Sequence, residues 1–155
     1  MTVFADSSAV VKLYVDEEGA AEIRAVPHIA VSALTRVEVA AAIWRKRRAS
    51  ELSGQAAALL NARFDSDIAA ESPPAARFDT LPVTEAILRS AAEVTAMRAL
   101  RAYDAVQLAS AIAARAADPS CATFACFDRD LREAAAAEGF RLVPAQLSAA
   151  GQISR

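Results

Sequence analysis

Histidine occurs once in 155 residues, and glycine four times; cysteine occurs twice, and aromatic residues make up 6% of the chain. Each scarcity removes a class of chemistry. The solitary His28 offers no serine or cysteine triad. With it, Cys121 and Cys126 leave no credible zinc set. The two cysteines lie in or beside one apolar run, too far apart along a strand for an easy disulfide, and read as small core residues in a reducing compartment. The glycines form neither G-x-G-x-x-G nor a Walker loop. No stretch approaches the roughly 20 apolar residues of a membrane span. The N-terminus lacks a basic lead and Asp6 interrupts its apolar run, so a cytoplasmic location is expected.

Charge of one sign is also missing. Seventeen basic residues against nineteen acidic give a net charge of -2, which provides no global field toward nucleic acid. A polyanionic partner would have to be held by a local patch or through a metal ion. Lys12 and Lys46 are the only lysines and all other basic residues are arginines, a bias that a GC-rich genome accounts for together with the alanine excess. The one dense basic run, "WRKRR" at 44–48, reads as a solvated last helical turn complementing the helix dipole. Trp44 within it reads as an anchor in the core or at a dimer interface. Asp16, Glu17 and Glu18 read as a solvated helix end.

What is present is alanine-rich and alternates in period. Hydrophobic residues reach 55%, enough for one domain with a substantial core. Residues 2–5 (TVFA) predict a strand buried on both faces, and Ser7 or Ser8 can cap the helix carrying Val10, Val11, Leu13 and Tyr14. Further strands are predicted at 28–31, 78–83, 122–127 and 140–143. Helices are predicted from Ser32 as N-cap to about Ala49, then over 52–69, from Thr84 to about Met97, over 101–116 and over 130–138. "ESPPAAR" at 71–77 is the clearest loop, and the tail from Gln146 has little pattern. Short buried strands alternating with amphipathic helices imply an α/β fold, a parallel sheet with helices on both faces. Ligands of such sheets bind outside the carboxyl ends of the strands.

Asp6 ends the first strand and Asp128 follows the fourth. Glu38 and Asp104 lie in otherwise apolar helical stretches, "VSALTRVEVAAAIWRKR" and "RAYDAVQLASAIAA". Taken singly, Asp6 and Asp128 are intelligible as helix caps, and Glu38 and Asp104 as acids on the solvent side of alanine-rich helices. Taken together, they can converge over one edge of the sheet. Convergent carboxylates repel unless a cation neutralises them, and an all-oxygen set suits Mg²⁺ or Mn²⁺. An ion so held can activate a water against a phosphodiester, which is nuclease chemistry.

The order and spacing of "VFADSSAVVKLYVDEEG", "VSALTRVEVAAAI", "LRAYDAVQLASAIA" and "FACFDRDLREAAAAEGFRLV" resemble the PIN-domain nucleases, and among them the toxin ribonucleases of VapBC-type toxin–antitoxin pairs, over nearly the whole chain. The resemblance implies a five-stranded parallel sheet between helices over 1–145, with 146–155 as a C-terminal tail. It implies an acidic quartet of Asp6, Glu38, Asp104 and Asp128, with Asp6 and Asp104 as the innermost ligands of Mg²⁺, for which Mn²⁺ substitutes. It further implies an RNA substrate, a small cognate antitoxin and a homodimer. Ser7 is then a candidate contact to a ligand or a metal-bound water, and Arg36 and Arg45 are candidate RNA or antitoxin contacts. Many relatives carry Ser or Thr where this chain has Cys126; a thiol holds a ligand or water poorly, so Asp130 becomes a candidate to share the task of Asp128.

Other phosphate chemistry fits less well. A phosphoaspartate receiver carries a lysine near its last strand, whereas both lysines here are early, and a haloacid-dehalogenase-like phosphatase needs Asp where Ser8 stands. The alternative from another class is a catalytically inactive PIN-like binding module acting through a protein partner. Metal dependence separates the two.

Overall fold

The protein is described here by a computed structural model covering residues 2–70 and 77–147. Most of the predicted loop at 71–77 and nearly all of the tail at 146–155 therefore lie outside the described residues. Five strands, β1 (Val3–Ala5), β2 (Ile29–Ser32), β3 (Phe78–Leu81), β4 (Thr123–Ala125) and β5 (Arg141–Val143), form one parallel sheet in the order β3-β2-β1-β4-β5. Seven helices accompany it among the described residues: α1 (Ser7–Val10, continued by a 3₁₀ turn at Val11–Leu13), α2 (Ala20–Arg24), α3 (Thr35–Arg48), α4 (Gly54–Ala69), α5 (Glu85–Arg98), α6 (Ala102–Ala117) and α7 (Arg129–Ala137).

The pleat sorts the strand residues into two cores. Val3, Ala5, Ile29, Val31 and Phe78 pack with buried residues of α1, α3 and α4, such as Val10, Val39, Ile43 and Phe64. Phe4, Ala30 and Phe124 face the other way, onto Ile87, Leu108 and Leu131 of α5, α6 and α7. Both faces of β1, β2 and β4 are therefore covered, which explains why these strands are continuous apolar runs and do not alternate.

Strand order decides where a ligand can enter. The chain leaves β1 for β2 and β3 on one side, then returns to lay β4 and β5 on the other. The direction of winding reverses between β1 and β4, so their carboxyl ends border the crevice of an open α/β sheet. Two bonds carry the pairing just past those ends: Asp6 N donates to Ala125 O at 3.1 Å and Cys126 N to Val143 O at 3.0 Å.

Several local expectations are corrected. Neither Ser7 nor Ser8 caps α1; the N-cap is Asp6, whose carboxylate accepts from Ala9 N. Ser32 is the last residue of β2, and α3 starts at Thr35 from Leu34, with no side-chain cap. Ser32 Oγ instead accepts Leu34 N at 3.3 Å in the intervening turn. The segment after Gly19 forms an unforeseen short helix, α2. Glu17 is not a solvated helix-end charge: it is gripped by Lys12 at 3.1 Å and by Lys46. Trp44 is 39% exposed and does not belong to the core. Cys121 and Cys126 are free and buried, as expected. Thr84 caps α5 as expected, and Ser53 caps α4. No helix among the described residues is long and apolar enough to cross a membrane.

Candidate active site

Asp6 follows β1 directly, at the switch point of the sheet, and is 5% exposed. Its Oδ1 accepts two bonds, from Ser8 Oγ at 2.7 Å and Ala9 N at 3.1 Å. Burial outweighs these bonds and pushes the carboxyl up to about 7. Ser8 Oγ also accepts Phe127 N at 2.8 Å, so one hydroxyl ties the end of β1 to the end of β4.

Asp128 is the N-cap of α7, where its Oδ1 accepts Leu131 N at 3.0 Å. The turn leading into it is closed by Cys126. Cys126 Sγ accepts Asp128 N at 3.3 Å and donates to Asp128 O at 3.5 Å. The sulfur thus makes the local turn contacts a hydroxyl would make, although burial and the neighbouring Asp6 charge push the thiol well up. Arg132 braces the same turn from below, donating to Cys126 O at 2.8 Å and Pro144 O at 2.7 Å.

Glu38 and Asp104 stand in the first turns of α3 and α6. At those positions the positive helix ends offset part of the cost of a carboxylate in an apolar stretch. Asp104 is raised to about 6, chiefly by burial and next by the charge of Asp128; Arg101 opposes the shift, and Glu38 and Asp130 add to it. Asp104 is therefore close enough to Asp128, Glu38 and Asp130 to feel their charges. Asp130 is exposed in the first turn of α7, near enough to act on Asp104 through space.

Glu38 is held by a polar cluster that spans three elements. Ser7 Oγ donates to Glu38 Oε2 at 2.5 Å, and Gln107 Nε2 donates to the same oxygen at 2.6 Å. Gln107 Nε2 also lies 3.1 Å from Ser7 Oγ and 3.3 Å from Thr35 Oγ1. Gln107 is 1% exposed, and its Oε1 has no hydrogen-bond partner. Sequence reasoning singled out Ser7 and missed Gln107. The signal was a lone amide three residues after Asp104, on the same helical face, in a helix that is otherwise almost wholly apolar.

The remaining candidates are more peripheral. Arg36 donates to Ile68 O at 3.4 Å, at the end of α4. Arg45 is exposed and makes no ion pair among the described residues, whereas its neighbour Lys46 is engaged with Glu17 and Glu51.

The donor chemistry fits a hard divalent cation. All the acids offer oxygen, and two are raised in pKa, Asp6 by burial and Asp104 by burial and then by the charge of Asp128. Among the described residues no three His, Cys, Asp or Glu side chains close on one point tightly enough to grip an ion unaided.

A sequence profile of the PIN domain matches residues 3–137. No curated protein matches significantly. Among solved structures, the chain resembles VapC20 of Mycobacterium tuberculosis, a toxin that cleaves the sarcin–ricin loop, with 20% identity over 89% of this chain and 95% of that one and a TM-score of 0.59. A toxin–antitoxin complex from Klebsiella pneumoniae aligns with 15% identity over 81% of this chain and 86% of that one at a TM-score of 0.56. FitAcB from Neisseria gonorrhoeae aligns with 20% identity over 86% and 93%, also at 0.56. These likenesses establish the five-stranded parallel sheet flanked by helices as the family's fold.

Proposed function

The chain belongs to the PIN domain family, and from that premise we propose that it is a Mg²⁺- or Mn²⁺-dependent endoribonuclease, the toxin of a toxin–antitoxin pair. The observation that supports the reading is the placing of Asp6 at the end of β1 and of Asp128 at the N-cap of α7 after β4, with Asp104 of α6 feeling the charges of Asp128 and Glu38. A dedicated binding module has no use for carboxylates kept at that electrostatic cost. The toxin–antitoxin complex it resembles, and the sarcin–ricin-loop cleavage by the mycobacterial relative, support the antitoxin partner and the substrate class. A homodimer and a cytoplasmic location complete the proposal.

Asp6 and Asp104 are the inner ligands, with Glu38 and Asp128 completing the set. The bound ion supplies a lowered pKa for a coordinated water and a positive charge against the phosphodiester. The chain's own residues do the positioning. Ser8 and the Ala9 amide fix Asp6 through its Oδ1. The Leu131 amide fixes Asp128, and Ser7 and Gln107 fix Glu38. Hydrolysis by an attacking water leaves a 3′-hydroxyl and a 5′-phosphate.

The test is cleavage of a mixed transfer-RNA pool by antitoxin-free protein in Mn²⁺ or in EDTA, beside Asp6→Asn and Asp104→Asn. Cleavage that needs the metal and both aspartates is expected. Cleavage that persists in EDTA, or in both variants, overturns the assignment. Absence of cleavage together with absence of any Mn²⁺-induced rise in melting temperature favours the binding module.

A further inference from the structure

We propose that Gln107 is a positioning residue of the site, setting the metal affinity by clamping Glu38. The inference rests on the metal-dependent reading above and extends it to a residue with no ionisable group. It starts from a count of bonds. Glu38 Oε2 takes two short donors, Ser7 Oγ at 2.5 Å and Gln107 Nε2 at 2.6 Å. Both donors are themselves anchored. Ser7 begins α1, directly after Asp6, and Gln107 is locked inside α6 at 1% exposure. Glu38 is therefore restrained from two sides by rigid elements, and a carboxylate that would otherwise sample several rotamers is held in one. Ligands held so from behind lose much less entropy when an ion arrives, and removing such a partner ordinarily lowers metal affinity 10–100-fold.

The same amide links the acids to one another. Gln107 lies three residues after Asp104 on one face of α6, and its Nε2 also reaches Thr35 Oγ1 on α3 and Ser7 Oγ on α1. One side chain thus couples the helices that carry Asp104, Glu38 and the residue next to Asp6. Three acceptors crowd one amide nitrogen, while the buried Oε1 of the same side chain has no partner. A glutamine retained merely to fill core volume would gain by being replaced with an apolar residue, because an unmet buried carbonyl is costly. What it supplies that an apolar residue cannot is the N–H aimed at Glu38.

The experiment compares Mn²⁺ affinity by calorimetric titration, and metal-free melting by circular dichroism, in the wild type, Gln107→Met, Glu38→Gln and the double variant. Methionine keeps length and volume and removes the donor. The expected result is a Gln107→Met protein that melts, without metal, at or above the wild-type temperature yet binds Mn²⁺ about 10-fold or more weakly. In the Glu38→Gln background the same change has no further effect, since the amide acts through Glu38. Wild-type Mn²⁺ affinity in Gln107→Met, with Glu38→Gln weakened, overturns the inference and leaves the metal site standing. Wild-type affinity in Glu38→Gln as well removes the metal reading and the inference with it. If Gln107→Met does not fold, Gln107→Leu makes the same comparison with an apolar side chain and no donor, and undiminished affinity there is equally fatal.

Discussion

Asp6 is both a helix cap and a candidate ligand, and the two roles do not compete. Its bonds from Ser8 Oγ and Ala9 N both fall on Oδ1. An asparagine at the same position caps through its own Oδ1, so Asp6→Asn isolates the charge from the cap. The folded carboxyl holds its proton up to about pH 7, whereas the unfolded one releases it near 3.8. Between those values the folded state binds more protons than the unfolded one. Metal-free stability therefore falls as pH rises from about 4 to 7 and stays low above. Asp6→Asn removes that decline. It is expected to stabilise the metal-free protein at pH 8 by up to about 4 kcal/mol, to change little near pH 4, and to abolish stabilisation by Mn²⁺. Urea denaturation at the two pH values checks this, and an equal stability difference at both would refute it. The charge was legible in the sequence, because an acid ending an apolar strand is conspicuous. Which residue capped the helix was not: Asp6, Ser7 and Ser8 are all good caps, and the choice follows from Ser7 being drawn to Glu38 and Ser8 to Phe127.

At the scale of elements, periodicity located the five strands and every long helix to within a few residues, because β1, β2 and β4 are runs of buried positions and the long helices carry buried residues at helical spacing. It failed where tertiary contacts set the geometry. The five residues of α2 are too few to show a period, and the helix exists because Gly19 turns the chain at φ 81°. That turn also explains why the position is glycine. A Cβ there would stand 2.4 Å from Phe127 Cε1, and Phe127 is tied by its amide to Ser8 and immediately precedes Asp128. The α1–α2 connection and the β4–α7 turn are thereby packed into one unit beside the acids. Gly19→Ala combines a strained φ with a clash, and is expected to cost roughly 2–4 kcal/mol. Adding Phe127→Ala to that variant is expected to cost less than it does in the wild type, because the clash partner is gone. A thermal-melt cycle over the four proteins reads the coupling, and strict additivity would count against it.

At the scale of the whole molecule, alternation of strand and helix made the parallel sheet legible, but the order β3-β2-β1-β4-β5 was not, since it depends on which face each helix covers. The resemblance of the motifs supplied what periodicity could not. Gln107 escaped both routes: its only local mark is that it is a lone amide on the face of Asp104, and the partners that give it a role lie 69 and 100 residues away. Charge poses the last question at this scale: a protein of net charge -2, with acids concentrated at its cleft, is proposed to act on a polyanion. The end of α3 offers the compensating field. Lys46 is neutralised by Glu17 and Glu51, but Arg45 and Arg48 are exposed, and Arg45 lies two turns after Glu38 on the same helical face. If this end of the helix guides the strand into the cleft, its contribution is made of phosphate contacts and must carry a salt signature. Each contact on single-stranded RNA adds about 0.7 to the slope of log affinity against log salt. Binding is best measured on Asp104→Asn protein, to separate it from cleavage. There, Arg45→Ala together with Arg48→Ala is expected to weaken association at low salt and to lower the slope by about 1.4. An unchanged slope would place the track of the RNA elsewhere on the molecule while leaving the acidic site as it is.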